Sequence, residues 1–330
     1  RGQSQMGMAG PALVKAGMGE DLDKEALGGA AVQADKNGLA DLAVEDEAEA
    51  IEAMQRFLSY LPSNANAPLP FANAVSPSVS AGALSQTVPA NPRKAYDVRD
   101  IIDGLVDGGS RFELKPNYAA NIVTAFARLD GRPIALIANQ PKRRAGMLDA
   151  RASEKAARFV ALADAFGVPL ITLIDVPGFA IGSQAEASGL GKRSGRLLYE
   201  MAHATVPRIS ITLRKGYGAG YIAMGGGRSF GFDYSFAWPT AEICAMSIEG
   251  AIDVAFKRDV ESADDPAARR AELIAETRSR IGPAQAAAGF GIDDVIDPQE
   301  TRQILIQAFA RLPARRPDTG PPKRRSISPI

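Results

Sequence analysis

The glycine-rich run at residues 214–221 is the part of the chain best suited to chemistry. It reads Arg-Lys-Gly-Tyr-Gly-Ala-Gly-Tyr and follows an apolar, strand-like stretch at residues 209–213. A strand that turns sharply through glycines into a helix leaves backbone N–H groups free at the helix start. Such groups can bind a phosphate, or they can stabilise an oxygen that becomes negative during a reaction. The pattern alone permits both.

Three interpretations of this run are open from the residues. Residues 218–223 fit G-x-G-x-x-A, the loose form of a dinucleotide-binding fingerprint, which would indicate an NAD-dependent oxidoreductase. That fingerprint expects an acidic residue at the end of the next strand, about 20 residues on. Asp233 instead comes too early, at the start of that strand, and Glu242 follows Pro239. A tight structural turn and an oxyanion hole are the other two interpretations.

Two further loops are expected at the same edge of the sheet. Residues 175–179, Asp-Val-Pro-Gly-Phe, follow one buried strand, and Asn139-Gln140-Pro141 follows the strand before it. Open parallel sheets place their ligand crevices at the carboxyl ends of the strands. Both loops are therefore expected to border the crevice that the glycine run faces, although a purely structural turn at 175–179 is equally compatible with the sequence.

Strand-like segments alternate with helix-like segments after residue 93. Ser153 is suited to cap a helix whose apolar face runs from Ala156 to Phe166, and Gly167 fits the position just after it. Strands alternating with helices imply an α/β fold with a largely parallel sheet. Strands are predicted at residues 134–138, 170–174, 208–213 and 232–238, and further helices at residues 191–204, from Gly220 onward, and at residues 248–257.

The overall composition argues against several classes of protein. The 330 residues carry 38 basic and 38 acidic side chains, so net charge gives no argument for nucleic acid or an anionic membrane as partner. No apolar run approaches the ~20 residues needed to cross a bilayer. Cys244 and His203 are alone of their types, which argues against an intrachain disulfide and a Cys/His metal site. A reducing compartment is therefore expected.

Charge and proline content indicate how the chain is divided. Residues 62–92 contain six prolines and no charged side chain, a composition typical of a linker without regular structure. A helix is predicted over residues 42–61, where apolar residues recur at helical spacing. The chain starts with Arg1, which suggests a fragment or a processed form. The predicted units are the end of an upstream domain at 1–61, a linker at 62–92, a second domain at 93–310, and an extended tail at 311–330.

Six separated blocks of sequence occur in a recognisable order along the chain. The blocks are residues 96–100 (Tyr-Asp-Val-Arg-Asp), 137–141 (Ile-Ala-Asn-Gln-Pro), 152–159 (Ala-Ser-Glu-Lys-Ala-Ala-Arg-Phe), 175–179, 214–218 and 237–241 (Ala-Trp-Pro-Thr-Ala). Together they resemble, over about residues 93–300, the C-terminal half of the carboxyltransferase (beta) subunit of biotin-dependent acyl-CoA carboxylases, such as the propionyl- and methylcrotonyl-CoA enzymes. Residues 1–61 resemble the end of that family's N-terminal half.

The resemblance implies a fold, cofactors and partners. The expected fold is the crotonase-like one, an α/β fold in which ββα turns stack into a spiral. Biotin, carried on the mobile domain of a biotin carboxylase or carboxyl carrier subunit, would dock on this half. Acyl-CoA would be held mainly by the N-terminal half of a neighbouring subunit, so the active site lies between chains of a homo-oligomer, usually a hexameric ring. The cytoplasm, or the mitochondrial matrix of a eukaryote, is the expected location.

The resemblance also assigns roles to residues of the glycine run. The backbone N–H groups of Ala219 and Gly220 align with the pair that stabilises the negative ureido oxygen of biotin, where the family order is Gly-Ala. The biotin anion itself can take the alpha proton of the thioester, so no ionisable side chain or metal is required. Ile222 falls where the family lines its acyl pocket, which suggests an apolar acyl tail. The expected biotin contacts are Gly218, Tyr221, Pro177, Gly178, Phe179 and Gln140.

Other functions remain open from the sequence. Related biotin enzymes run in the decarboxylase direction, which the residues do not distinguish from carboxylation. The chain could also be an inactive scaffold fragment that contributes only oligomer contacts, because most of the family's N-terminal half is absent from it. A hydratase of the same fold would need paired carboxylates at the site, and the sequence offers no persuasive pair.

Overall fold

A computed structural model of the chain describes residues 1–64 and 67–315. Within these residues, eight strands form one sheet that is flanked by helices. The strands are β1 (Phe112–Leu114), β2 (Ile122–Leu129), β3 (Arg132–Asn139), β4 (Leu170–Val176), β5 (Arg208–Tyr217), β6 (Tyr234–Ala237), β7 (Glu242–Cys244) and β8 (Asp294–Val295). The helices are α1 (Pro11–Met18), α2 (Lys24–Gly28), α3 (Glu47–Leu58), α4 (Ala81–Thr87), α5 (Val98–Leu105), α6 (Ala150–Phe166), α7 (Ser183–Ala187), α8 (Leu190–His203), α9 (Gly218–Ala223), α10 (Ile248–Ala255), α11 (Lys257–Glu261), α12 (Pro266–Arg280), α13 (Pro283–Ala288) and α14 (Thr301–Arg311).

The sheet changes from antiparallel to parallel pairing at β3. β1, β2 and β3 pair antiparallel, whereas β3, β4, β5, β6 and β8 pair parallel in that order. β7 pairs with the last residues of β5, so it extends the carboxyl edge of the sheet. The strand order never reverses direction along the path from β1 to β8, so the sheet lacks the topological switch point of doubly wound dinucleotide-binding folds.

A two-residue turn fixes the register of β2 against β3. Asp130 and Gly131 both have positive φ, 53° and 76°, which is the conformation that Asp-Gly favours in hairpin turns. The Asp107 carboxylate accepts hydrogen bonds from both of their N–H groups, at 2.9 and 2.8 Å. The turn is therefore held by a buried side chain as well as by its own backbone preference.

Alternate residues of each strand point into two separate cores. In β3, Ala135 and Ile137 pack with the first core, where α6 and α8 supply residues such as Phe159 and Leu197. Ile134 and Leu136 point the other way, to a second core that includes residues of α5 and α14. This period of two along a strand that is buried on both faces gives a three-layer arrangement of helices, sheet and helices.

Helix α6 begins earlier than the sequence predicts. The N-cap is Asp149, whose carboxylate accepts the Ala152 N–H at 2.8 Å, and not Ser153. The Ser153 hydroxyl instead donates to the Asp149 carbonyl at 2.9 Å, inside the first turn. The predicted end is confirmed, because Gly167 follows the helix in the left-handed conformation at φ 72°.

The predicted start of α9 is wrong by two residues. β5 was expected to end at residue 213, but it continues to Tyr217 because β7 pairs with its residues 215–217. α9 therefore begins at Gly218 rather than at Gly220. The predicted helix over residues 42–61 is also shorter in the structure, as α3.

Residues 62–92 are not free of regular structure as predicted. They contain α4, whose Leu84 is buried and packs on the second core. A Cβ added at Gly104 of α5 would lie 2.6 Å from a Leu84 methyl carbon, so the two helices are in close contact. Tyr60 and Leu61 likewise pack in the first core. The division into domains stays a prediction, and most of the predicted tail lies outside the described residues.

Candidate functional site

The loop after β4 and the turn after β5 meet at the carboxyl edge of the sheet. A Cβ added at Gly220 would lie 2.9 Å from the Cα of Gly178 and 3.1 Å from a Val176 methyl carbon. Two backbones this close together leave no room for a side chain between them. Gly178 itself has φ 126°, a conformation that L-residues rarely adopt. The structure thus brings Gly178 and Gly220 together, as the sequence predicts for two loops at one edge.

The turn into α9 leaves two amide groups without acceptors. Tyr217 is the N-cap, so the N–H groups of Gly218, Ala219 and Gly220 precede the first turn of intrahelical hydrogen bonds. Within residues 1–64 and 67–315, neither the Ala219 N–H nor the Gly220 N–H donates a hydrogen bond. Ala219 is exposed and Gly220 is buried against the loop at Gly178. Neither N–H group of the pair is therefore occupied by an acceptor of the described residues.

Gly218 is required by the shape of this turn. Its φ is 56°, and a Cβ added there would lie 2.8 Å from the carbonyl oxygen of Ala245. Any other residue at this position would be strained and would clash with the backbone unless the turn moved. The glycine lets β5 pass directly into α9 while its partner strand β7 runs alongside.

A buried cluster of charges lies directly beneath the turn. Asp175, in β4, is completely buried, and its carboxylate lies 3.0 Å from two nitrogens of the Arg214 guanidinium. The same carboxylate accepts the Lys215 backbone N–H at 3.2 Å and lies 3.4 Å from the Lys215 ammonium. Burial lowers the pKa of Lys215, whereas the charge of Asp175 opposes that shift. The Asp175 carboxylate is thus held between two buried cations inside the protein.

Tyr96 closes the other side of the cluster. The Arg214 guanidinium lies over the Tyr96 ring, 5.1 Å from its centroid, and donates to the carbonyl oxygens of Asn91 and Lys94 at 3.3 and 2.9 Å. Burial, followed by the charge of Asp175, raises the pKa of Tyr96 well above its usual value. The segment before α5 is thereby tied to the strand that carries the turn.

On the outer side of the turn, Tyr217 pairs with Glu242 of β7. The Tyr217 hydroxyl donates to the Glu242 carboxylate, and Arg278 lies 3.5 Å from that carboxylate. Burial, followed by the hydrogen bond to Glu242, raises the pKa of Tyr217. Burial raises the pKa of the neighbouring Cys244 thiol to about 11, so this cysteine is a protonated, weakly nucleophilic group.

Not every predicted contact residue points into the crevice. The ring of Tyr221 is buried and fills the space where a Cβ at Gly226 would be, 2.0 Å from a ring carbon. Gln140 is fully buried, and its amide donates to the Asp97 carboxylate at 2.7 Å and accepts the Val98 N–H at 3.4 Å. Ile222, by contrast, is 47% exposed next to the turn.

The loop at Pro177, Gly178 and Phe179 is half-buried and held at both ends. The Gly178 carbonyl accepts the Leu148 N–H at 3.1 Å, and the Leu148 carbonyl accepts the Ala180 N–H at 2.8 Å. Phe179 packs its ring against the first core. The loop is thus a fixed wall of the crevice rather than a loose flap.

Sequence reasoning found the turn but missed the cluster beneath it. Asp175, Arg214 and Lys215 all stand in the recognised blocks, yet nothing in a linear pattern pairs the end of one strand with the end of the next. An acidic residue ending one apolar strand and two basic residues ending its neighbour were the available signal.

Within the described residues, no three His, Cys, Asp or Glu side chains converge as metal ligands. No helix among them is long and apolar enough to span a bilayer.

Comparison with known proteins gives the family. The model of the carboxyl transferase domain family matches residues 1–327. The chain is 39% identical over 332 residues to a propionyl-CoA carboxylase carboxyltransferase subunit from Haloferax mediterranei, covering 100% of this chain and 64% of that protein. It is 41% identical over 331 residues to a methylmalonyl-CoA carboxyltransferase 12S subunit from Propionibacterium freudenreichii, covering 99% and 62%. A methylmalonyl-CoA decarboxylase alpha subunit from Propionigenium modestum is 38% identical over 329 residues, covering 99% and 63%.

A solved structure has the same fold. The transcarboxylase 12S crystal structure, a hexamer assembly with methylmalonyl-coenzyme A and methylmalonic acid bound, superposes with a TM-score of 0.91 at 41% identity. It covers 98% of this chain and 62% of its own. The chain therefore belongs to the carboxyl transferase domain family, and the predicted crotonase-like α/β fold is confirmed. It spans about 62–64% of the length of the relatives it matches.

Proposed function

We propose that this chain carries the biotin-binding side of a carboxyltransferase, which moves a carboxyl group from N-carboxybiotin to the alpha carbon of an acyl-CoA. The observation that carries the proposal is the unpaired amide pair of Ala219 and Gly220, set against the Gly178 loop in a chain of this family. Asp175, Arg214 and Lys215 beneath the turn are paired with one another, which leaves the backbone N–H groups as the unoccupied donors of the turn.

Turn and loop together would hold a flat polar ring such as the ureido group of biotin. Gly220 and Gly178 carry no side chains, so a ligand can approach both backbones closely. Pro177 and Phe179, which flank Gly178, are half-buried apolar residues. When bound, biotin supplies a ureido group that carries the carboxyl and becomes more negative as the carboxyl leaves.

The amide pair acts on the charge that develops at the ureido oxygen. The Ala219 and Gly220 N–H groups would donate to that oxygen, and because the turn already holds them they would need no reorganisation. The loop at residues 177–179 orients the ring and excludes water from one face. The contacts of Asp175 with Lys215 keep turn and loop in place.

Transfer of labelled carboxyl tests this function. Full-length protein is incubated with free biotin and methylmalonyl-CoA labelled in its free carboxyl group. The expected result is biotin-dependent movement of label into acid-labile carboxylated biotin, and none when biotin is omitted. Absence of biotin-dependent transfer from methylmalonyl-CoA, malonyl-CoA and the carboxylated form of methylcrotonyl-CoA alike would refute the proposal.

Replacing Gly178 with alanine should reduce transfer by displacing the loop. The Ala variant must adopt φ near 126°, which costs about 1–3 kcal/mol or moves the backbone away from Gly220. Gly109→Ala is the matched control, because Gly109 also has positive φ, 70°, and open space for a Cβ. Urea unfolding should show similar losses of stability for both variants, whereas only Gly178→Ala should lower kcat. Equal kcat in the two variants would show that the loop does not shape the site.

Ile222 should influence which acyl chain is accepted. Its side chain is 47% exposed beside the turn, so a substitution changes the crevice at little cost to folding. Ile222→Asp is expected to lower kcat/KM for propionyl-CoA about 10- to 200-fold, the range that one apolar contact gives in discrimination. The KM for biotin should stay unchanged. If the KM for biotin rises instead and kcat/KM for propionyl-CoA does not fall, Ile222 lies outside the acyl pocket.

We further propose a homo-oligomer that works with a biotin carboxylase or biotin carboxyl carrier subunit and binds acyl-CoA between subunits. The hexamer assembly of the transcarboxylase 12S structure supports a hexamer for this protein as well. Sedimentation of full-length protein measures the number of subunits, and six are expected. A human relative, 41% identical over 302 residues, is described as mitochondrial, which supports a mitochondrial location if the source is a eukaryote.

The decarboxylase direction is the second candidate function. It is favoured by two relatives described as methylmalonyl-CoA decarboxylase alpha subunits, each 38% identical to this chain. The complex purified from its source separates the two directions. ATP-dependent carboxylation of an acyl-CoA supports the first proposal, and ATP-independent net loss of CO2 from methylmalonyl-CoA supports the second.

A further inference from the structure

The pairing of β4 with β5 is interrupted at the site. Ile174 pairs with Thr212, but the next paired residues are Val176 and Gly216. One residue of β4 therefore stands opposite three residues of β5. Such a bulge bends the strand and increases its twist, which changes the direction of the chain beyond it. The turn with the unpaired amide pair lies just beyond this bulge, so the bulge sets the direction of those N–H groups.

Asp175 is the single residue of β4 opposite this bulge. Its carboxylate receives the Lys215 backbone N–H at 3.2 Å, a group that the bulge has removed from the strand ladder. It also binds the Arg214 guanidinium at 3.0 Å and the Lys215 ammonium at 3.4 Å. One fully buried carboxylate thus binds the Lys215 backbone N–H and the side-chain cations of two of the three extra residues.

Asp175 also lies on the second element of the site. It stands two residues before Pro177, while Lys215 stands three residues before Gly218. A contact between Asp175 and the bulge therefore couples the position of the loop to that of the turn. The close approach of Gly178 to Gly220 lies immediately above this contact.

We propose that Asp175 is a positioning residue that sets the separation between the Gly178 loop and the Ala219–Gly220 amide pair. The expected loss of kcat rests on the proposed function, whereas the expected change in the Gly178–Gly220 separation does not. Asp175 does not touch the crevice, because its carboxylate is fully buried and occupied. It acts through the bulge, and its loss shifts amides that must sit within hydrogen-bond reach of one oxygen.

Asp164 provides a matched control at the opposite edge of the sheet. Its carboxylate accepts the N–H groups of Thr205 and Val206, at 2.6 and 3.2 Å, just before β5. Asp164 is therefore a buried carboxylate that binds backbone N–H groups next to the same strand, away from the turn. A purely structural role would make Asp164→Asn and Asp175→Asn equivalent in every measurement.

The test compares Asp175→Asn with Asp164→Asn in full-length protein. We expect Asp175→Asn to lower kcat for biotin-dependent transfer about 10²-fold, the effect of a misplacement near 1 Å, with KM for acyl-CoA unchanged. Asp164→Asn should lose stability but keep kcat. If Asp175→Asn does not fold, Asp175→Asn/Arg214→Gln removes the whole Asp175–Arg214 ion pair and should show the same loss of kcat.

A crystal structure of the Asp175 variant separates this inference from the proposed function. The Gly178–Gly220 separation should increase in Asp175→Asn and stay the same in Asp164→Asn. Unchanged separation, or wild-type kcat in the Asp175 variant, would overturn the positioning role. An increased separation in a protein whose wild type transfers no carboxyl would instead uphold the positioning role and reject the proposed function.

Discussion

Replacing Ala219 by proline is expected to lower kcat for carboxyl transfer about 10²- to 10³-fold, the usual effect of removing one oxyanion donor. Proline removes one N–H and adds a ring. Ala219 occupies the second position of α9, where the N–H has no partner among the described residues and where proline is compatible with helical geometry. Ala219 is also exposed, so the ring has room.

The control for this variant is Ala219→Gly, which changes the side chain but keeps the donor. It should retain kcat within a few fold, while both variants keep a similar melting temperature. Transfer is measured with saturating biotin, so that a change in kcat is not masked by a change in biotin affinity. If Ala219→Pro transfers carboxyl at the wild-type rate, the Ala219 N–H is not a donor in the transition state.

Arg214→Met should produce the largest loss of stability. Asp175 is fully buried, and without Arg214 its charge is opposed only by Lys215, at 3.4 Å. Breaking a buried ion pair by removing one partner typically costs about 3–5 kcal/mol. The variant also loses the contact of Arg214 with Tyr96 and its two hydrogen bonds to the segment before α5. Urea unfolding measures the change in the free energy of unfolding.

Arg111→Met is the control for a pair that water reaches. Arg111 binds Asp103 through two hydrogen bonds, 2.7 and 3.0 Å, but the two side chains are 26% and 28% exposed. Solvent screens such pairs, so the loss should be clearly smaller. An equal decrease in the free energy of unfolding in the two variants would show that burial does not make the Arg214–Asp175 pair more important for stability than the exposed pair.

Local patterns predicted the elements that are defined by their own residues. The apolar strands at residues 134–138 and 170–174 and the end of α6 at Gly167 were recognisable because burial and helix termination leave local signatures. The family blocks then led to the correct fold and to the turn at residues 218–220. No pattern in the run itself chose between a phosphate site and an oxyanion hole.

Elements that depend on distant contacts were not predictable. β5 extends to Tyr217 only because β7, which lies more than twenty positions later in the chain, pairs with its end. α4 forms in a charge-free, proline-rich stretch because Leu84 packs against Gly104. The bulge opposite Asp175 likewise needs two strands to exist, so its role in directing the turn becomes visible only in three dimensions.

The most direct test is a structure of the full-length protein with biotin bound. We expect the ureido oxygen to lie about 2.7–3.1 Å from both the Ala219 nitrogen and the Gly220 nitrogen, the distance typical of oxyanion donors. Biotin bound with its ureido oxygen directed at a side chain or at solvent, and with both amides left empty, would contradict the role proposed for the amide pair.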